Sequence, residues 1–324
     1  MDFRTFDLPA APQIPGLVFR LFRGEADYPA IDHIQQAVKQ VDGDIWMKTR
    51  ADFSARDCAT TNPFEDCLFV EINGEVIGYS WIDWWTESNG IQLYLLLGWI
   101  LPEWRRKGIG RTLLHWQEQR ARQIAATQAP SECRMFGANV DETQPAALAF
   151  FLGEDYRLAF TVVDLQRLLS EPLQLAPLPA GVELRPVTPE QYPAIYELNE
   201  ATFRESNNGY TEQSYEEFLQ DVIKPTTDTS LWCIAWEGEQ VVGLVINEIV
   251  DGSGKTPWVA VRKDWRRRGL GRALMTHSLQ RFQEREIQLA SLTTILESIS
   301  NAVGLYERVG YRIVKRMPRY RKPM

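Results

Sequence analysis

Histidine and cysteine are both scarce in this 324-residue chain, at three and four residues. His33, His115 and His277 lie far apart at no metal-ligand spacing, so no metal centre is expected. Cys58, Cys67, Cys133 and Cys233 form no C-x-x-C pair and no disulfide framework. They read as free thiols of a reducing compartment, and a cytoplasmic location is the expectation. Long apolar runs are missing too. The longest, "LYLLLGWIL" at 93–101, is too short to cross a bilayer, so no membrane partner is expected. The opening "MDFRTFDLPAAPQ" has acids and prolines where a signal peptide needs a basic start and an apolar stretch. Excess positive charge is absent as well. The net charge is −8, with 16 Lys/Arg against 24 Asp/Glu through Glu171 and 19 against 19 after it. A nucleic-acid surface needs a broader basic face than this provides.

The composition that remains is that of a globular protein, 44% hydrophobic and 24% charged, long enough for two cores. The chain repeats itself. "YPAI" occurs at Tyr28–Ile31 and again at Tyr192–Ile195, and "FVEINGEVIGYSWI" (69–82) is answered by "IAWEGEQVVGLVIN" (234–247). "EWRRKGIGRTLL" (103–114) is answered by "DWRRRGLGRALM" (264–275), and "AALAFFLGEDYRLAF" (146–160) by "NAVGLYERVGYRIVK" (301–315). Offsets of 155 to 165 along the whole length indicate a duplication. "SEPLQLAPLPAG" (170–181), with three prolines, separates the copies. The expected division is therefore 1–172, a linker 173–181, and 182–324.

Each copy reads as strand, helix, helix, hairpin, strand, helix, strand, helix, strand. Alternating apolar residues flank Asn73-Gly74 and Glu237-Gly238, the mark of a hairpin. Thr188-Pro189-Glu190-Gln191 predicts a helix over about 189–203, and Ser214 with Glu217 predicts another behind it. The fold class is α/β, each domain a mixed, mostly antiparallel sheet with helices on both faces.

The Arg/Gly stretch carries the chemistry. Where a strand turns into a helix, the first helical N–H groups are unpaired and the dipole favours an anion. Arg266, Gly269 and Gly271 keep the spacing R-x-x-G-x-G around Leu270, and Arg267, Arg268 and Arg272 add charge. Neither a P-loop nor a dinucleotide fingerprint is present there. The first copy holds the same spacing in Arg105, Gly108 and Gly110, with Arg106 and Lys107 between.

Strand, R-x-x-G-x-G, helix, strand and then "LYERVGY" resembles the GNAT-type N-acetyltransferases, in both copies and over nearly the whole chain. The tandem layout is similar to double acetyltransferases of the mycothiol-synthase kind, with no residue that points to that substrate. The resemblance implies that the turn amides hold the pyrophosphate of acetyl-CoA, the acyl donor. It implies that Val259 and Val261 line the pantetheine arm where their strand splays from the next, and that an N–H near Val261 polarises the thioester carbonyl. It makes Tyr306 the acid that protonates the departing thiolate. The acceptor is then a primary amine of a small molecule or peptide, attacked directly in a ternary complex within the C-terminal domain.

The chain departs from the family in two places. The asparagine often found seven residues before the tyrosine is replaced by Ile299, with Asn301 two positions later. In the first copy Phe151 stands where Tyr306 does, and "GEDY" replaces "RVGY", so the first domain is expected to keep an anion site but to lack the acid. The general base is less defined: Glu297 is preferred over Glu248 because its strand should lie beside the one carrying Val261. Trp81, Trp84, Trp85, Trp99 and Trp104 read as core and interface material, and the loop 204–213 should border the acceptor. The competing reading is a CoA-binding sensor or scaffold without turnover.

Overall fold

The computed structural model describes residues 5–324 apart from 44, 46, 55–60, 206–208 and 299. Cys58, Ile299 and the middle of the 204–213 loop lie outside the described residues.

The first half runs β1 (Thr5–Phe6), β2 (Leu17–Leu21), α1 (Tyr28–Asp42), α2 (Arg50–Ser54), α3 (Pro63–Asp66), β3 (Leu68–Ile72), β4 (Glu75–Thr86), β5 (Gln92–Ile100), α4 (Ile109–Thr127), β6 (Arg134–Asn139), α5 (Pro145–Gly153) and β7 (Arg157–Leu168). The second runs β8 (Val182–Arg185), α6 (Tyr192–Arg204), α7 (Tyr215–Val222), β9 (Cys233–Glu237), β10 (Gln240–Val250), β11 (Ser253–Val261), α8 (Leu270–Gln283), β12 (Leu289–Ile295), α9 (Ala302–Arg308) and β13 (Arg312–Pro323). No described helix is long and apolar enough to cross a membrane.

Local chemistry explains these boundaries. Asn73 and Gly74 both take positive φ, at 51° and 91°, as a two-residue hairpin turn with the right twist demands. Thr188 and Gln191 close a reciprocal capping box at a short 3₁₀ turn over Pro189–Gln191, and α6 follows directly. Ser214 and Glu217 do the same for α7, each satisfying a backbone N–H that the helix start leaves unpaired.

The chain forms two compact units, and they do not follow the division at the linker. Unit 1 comprises 1–86, 90–159 and 318–324, and unit 2 comprises 87–89 and 160–317. In unit 1 the strand order is β1-β2-β3-β4-β5-β6, and Arg319–Pro323 of β13 then pair antiparallel with β6. In unit 2 it is β8-β9-β10-β11-β12, and Val162–Leu168 of β7 then pair antiparallel with β12. Each sheet is antiparallel except for one parallel pair, β5 with β6 and β11 with β12. Each unit thus completes its sheet with a strand that the sequence assigns to the other half. The cores follow suit. Tyr320, 7% exposed, belongs to the core of Phe69, Tyr79 and Phe136, while Val163 and Leu165 belong to that of Leu244, Leu274 and Tyr306.

In unit 2 the helices cover both faces of the sheet. A Cβ on Gly243 would meet Leu274 of α8 at 2.7 Å, and Gly243 pairs with Val261, so that row faces α8. Trp258 pairs with Ile246 on the alternate row and meets Phe203 of α6, ring centroids 5.0 Å apart. The β10–β11 ladder slips between Ile246 and Glu248, giving β11 one extra residue near Pro257. Beneath this bulge Asn247 donates to Leu231 O and Ser278 Oγ, and accepts from Thr256 Oγ1, all at 2.8 Å.

Tyr320 tests the strand exchange. Tyr320→Ala, which leaves the second-half core untouched, should destabilise the protein by about 3 kcal/mol in chemical denaturation through the cavity it opens in unit 1.

Candidate active site

The site begins with two strands that part. The parallel β11–β12 ladder has register only at Gly254↔Ala290 and Lys255↔Ser291, although β11 continues to Val261 and β12 to Ile295. On its other side β11 stays paired with β10 as far as Val261. The β12-facing backbone groups of 256–261 are therefore left without a strand partner, next to Val259 and Val261. Unit 1 repeats the arrangement, with β5 and β6 paired only from Gln92↔Arg134 to Leu95↔Gly137.

Both Arg/Gly turns adopt one conformation. Arg267 and Gly269 have φ of 62° and 88°, and Arg106 and Gly108 have 61° and 87°. Two left-handed residues two apart turn the chain out of the strand and into α8 or α4. Among the described residues no protein group accepts from the backbone N–H groups of 267–271. A Cβ on Gly269 would meet nothing within 4 Å, so this glycine serves backbone conformation and leaves open space above the helix start. Gly271 has a different role. A Cβ there would press to 3.2 Å from Leu305 of α9 and 3.7 Å from Val261, so it lets α8, α9 and β11 close together.

The arginines divide their work. Arg266 Nε donates to Val261 O at 3.0 Å, and its Nη1 pairs with Glu205 at the end of α6 at 2.8 Å. Arg105 repeats this, with Nε on Ile100 O at 3.1 Å and both Nη atoms on Asp42 at 2.8 Å. The first arginine of the motif is thus a staple between turn, strand end and first helix, with its charge already matched. Free charge comes from Arg267, Arg268 and Arg272, which are exposed. Arg268 stacks over Trp265 at 5.0 Å, as Lys107 does over Trp104 at 4.6 Å.

Tyr306 sits on α9, 6% exposed, its ring edge-on to Tyr311 at 6.2 Å. Its hydroxyl takes no protein hydrogen bond among the described residues, and burial pushes its pKa well above the ordinary phenol value. The end of α9 is held by β7: Arg167 donates through Nη1 to Val309 O, and through Nη2 to Pro172 O at 2.9 Å. Gly310, at φ 90°, leaves room for that guanidinium; a Cβ there would come within 2.8 Å of Nη1. In unit 1 Phe151 takes the place of Tyr306, edge-on to Tyr156 at 5.2 Å.

Glu297 and Glu248 lie apart from this pattern. Glu297 accepts from Thr161 N–H at 2.8 Å, and Leu296 N–H donates to Thr161 O at 2.8 Å, so this carboxylate caps the β7–β12 ladder. Glu248 is half-exposed, 3.7 Å from Lys224.

The two turns differ in what covers them. In unit 1 a Cβ on Gly108 would find Pro12 at 3.5 Å, and Thr112 of the first turn of α4 donates to Ala10 O at 3.2 Å. Leu8, Ala11 and Ile14 pack on the same core. The equivalent space at Gly269 is open.

Comparison with known proteins agrees with this geometry. A family model described as an acetyltransferase (GNAT) domain matches 197–322, and another described as the acetyltransferase (GNAT) family matches 30–153. A mycothiol acetyltransferase of Salinispora tropica is 29% identical over 248 residues, spanning 74% of this chain and 75% of the relative. That of Salinispora arenicola is 30% identical over 247 residues, with the same shares. A GCN5-related N-acetyltransferase from Sphaerobacter thermophilus superposes with a TM-score of 0.70 at 24% identity, covering 95% of both chains. A tandem GNAT protein from the clavulanic acid biosynthesis pathway gives 0.61 at 16% identity, covering 95% of this chain and 98% of its own.

Gly269→Ala should cost about 1–2 kcal/mol from left-handed strain alone, since no neighbour obstructs the methyl group. Thermal unfolding beside an Arg267→Gly variant, which relieves the same kind of strain, checks this by the opposite sign of the two shifts.

Proposed function

Because this chain belongs to the GNAT family of N-acetyltransferases, in tandem form, we propose that unit 2 transfers the acetyl group of acetyl-CoA to a primary amine of a small molecule. The family uses acetyl-CoA as donor. The observation that carries the assignment to unit 2 is the open turn at Gly269, set beside splayed strands and a tyrosine, where unit 1 has Pro12 over its turn and Phe151 in its helix. The names of the two Salinispora relatives support a small-molecule acceptor over a peptide.

In this proposal the N–H groups of 267–271 and the side chains of Arg267, Arg268 and Arg272 receive the pyrophosphate, while Arg266 keeps the turn in shape. The unpaired β12-facing edge of 256–261 offers backbone donors and acceptors to the extended pantetheine arm. An N–H beside Val261 orients and polarises the thioester carbonyl, as fixed donors do for developing oxyanions. Tyr306 supplies a proton to the leaving sulfur. The upward shift of its pKa keeps the hydroxyl protonated throughout the neutral range, the state a general acid must hold before transfer. Glu297, occupied by Thr161, is better suited to holding strands than to taking a proton from the amine.

Calorimetry with CoA should return about one site per chain. Arg267→Ala combined with Arg268→Ala should weaken that site about tenfold or more, since charge-assisted hydrogen bonds contribute about 1.5–3 kcal/mol each. A second site of similar affinity would place a donor in unit 1 as well.

Tyr306→Phe should leave CoA affinity unchanged and lower kcat by roughly 10²–10⁴-fold in a thiol-release assay. An unaltered kcat would remove Tyr306 from the chemistry.

A further inference from the structure

Glu200 of α6 is a buried acid that meets no cation among the described residues. Helical spacing explains its burial. Ile195, Leu198 and Asn199 face the core, and Glu200 falls on the flank shared with Tyr196 and Phe203, four residues before it and three after. It is 5% exposed. Oε1 accepts from the hydroxyl of Tyr210, and Oε2 has no partner among the described residues. No lysine or arginine pairs with it among the described residues. The nearby arginines are engaged elsewhere, Arg204 with Glu212 at 2.7 Å and Arg266 with Glu205 at 2.8 Å. Asn199, 0% exposed, also has neither side-chain atom satisfied. A buried carboxyl group with one oxygen unpartnered is a costly arrangement that a donor from outside the chain relieves.

The surroundings indicate which donor. Phe203 lies 5.5 Å from the ring of Tyr210 and 5.0 Å from that of Trp258. Trp258 is on β11, next to Val259. Tyr196 stands one turn before Glu200 and donates its hydroxyl to Gln213 O at 2.7 Å. Ser88 N–H donates to Tyr210 O at 2.8 Å, fixing the residue that holds Glu200. Burial and the Glu200 bond raise the Tyr210 pKa, which keeps its hydroxyl a donor. A carboxylate held by a tyrosine hydroxyl, with Tyr196 four residues before it and Phe203 three after on the same helix flank, matches an ammonium group, attracted by charge and by ring faces.

The duplicated half sharpens the point. At the offset set by the two "YPAI" segments, Asn199 corresponds to Gln35 and Glu200 to Gln36. Gln35 is satisfied internally, donating to Lys48 O at 3.0 Å and Tyr79 Oη at 3.5 Å, and Gln36 is an exposed neutral residue. Only the half with the open donor turn carries the acid.

We propose that Glu200, seated by Tyr210 and flanked along α6 by Tyr196 and Phe203, is the seat for the ammonium group of the acceptor. The proposal rests on unit 2 being the acetylating half, and it deepens that assignment by naming where the amine docks. It makes the acceptor a cation on arrival and Glu200 a binding group for it. The ammonium releases one proton to water before its lone pair attacks the thioester carbon and a second as the amide forms, while the C–S bond breaks and the thiolate leaves with the proton of Tyr306.

The test uses the full chain saturated with CoA, titrated calorimetrically with glucosamine, cysteamine and putrescine, and with N-acetylglucosamine as the neutral control. Wild type should bind at least one of the amines and not the control. Glu200→Gln, nearly isosteric, should weaken that amine tenfold or more with CoA affinity and melting temperature retained, and Glu200→Asp should recover part of the loss. Tyr210→Phe should weaken it less than Glu200→Gln. Equal amine affinity in wild type and Glu200→Gln would overturn the seat, as would wild type that takes up none of the amines. A wild-type chain that fails to bind CoA marks a separate failure, that of the donor turn.

Discussion

Pairing between β11 and β12 stops after Lys255 and Ser291, while β10 follows β11, across one bulge, as far as Val261. A strand edge inside a sheet is normally consumed by its neighbour, and one that is not needs polar partners from elsewhere. The bulge near Pro257 and the network of Asn247, Thr256 and Ser278 lie at the level where the two strands part. In the proposed function the open side of this edge is the rail for an extended ligand, with Val261 O already taken by Arg266. The Arg/Gly turn sits at the end of that rail because β11 runs directly into it. The Arg/Gly turn and the cleft thus take their positions from one interrupted ladder.

The helices around the cleft are fixed by polar contacts rather than by apolar packing alone. Arg266 ties α6 to the turn through Glu205, Arg167 holds the end of α9, and Gly271 lets α9 approach α8. Tyr306 therefore reaches its place through a residue of β7, far away in sequence. Unit 1 preserves the first of these ties in Arg105 and Asp42, and has Phe151 where the tyrosine would stand. It keeps the staple and the parted strands, and phenylalanine has no hydroxyl proton to give.

Much of this was legible in the sequence. The repeated Arg/Gly stretch, the two hairpin turns and both capping boxes announce local geometry through residues whose preferences are intrinsic, and the order of elements followed. The tandem, mostly antiparallel fold followed from them. Less visible was the division of labour among the arginines, since spacing alone does not distinguish Arg266, which is stapled to Glu205, from Arg267, which is free. The membership of β7 and β13 was hidden for a related reason. Strand pairing is non-local, and an alternating segment such as 160–168 carries no label for its partner. Glu297 illustrates the cost: strand order alone puts it at the end of β12, and its bond to Thr161 depends on the exchanged strand. Glu200 was passed over because a charged residue beside a helical core stripe ordinarily reads as solvated.

The strand exchange also orders events during synthesis. Arg319 pairs with Asn139, about 180 residues earlier, so the sheet of unit 1 keeps an exposed edge while everything between them is being made. A nascent chain in that condition presents a hydrogen-bonding edge to other ribosome products for many seconds, at translation rates of about 5–20 residues per second. Nor could a gene split within 173–181 yield two self-sufficient proteins, because each fragment would carry away a strand that the other requires. The duplication that made two similar halves has, through this trade, left them inseparable in heredity as well as in folding.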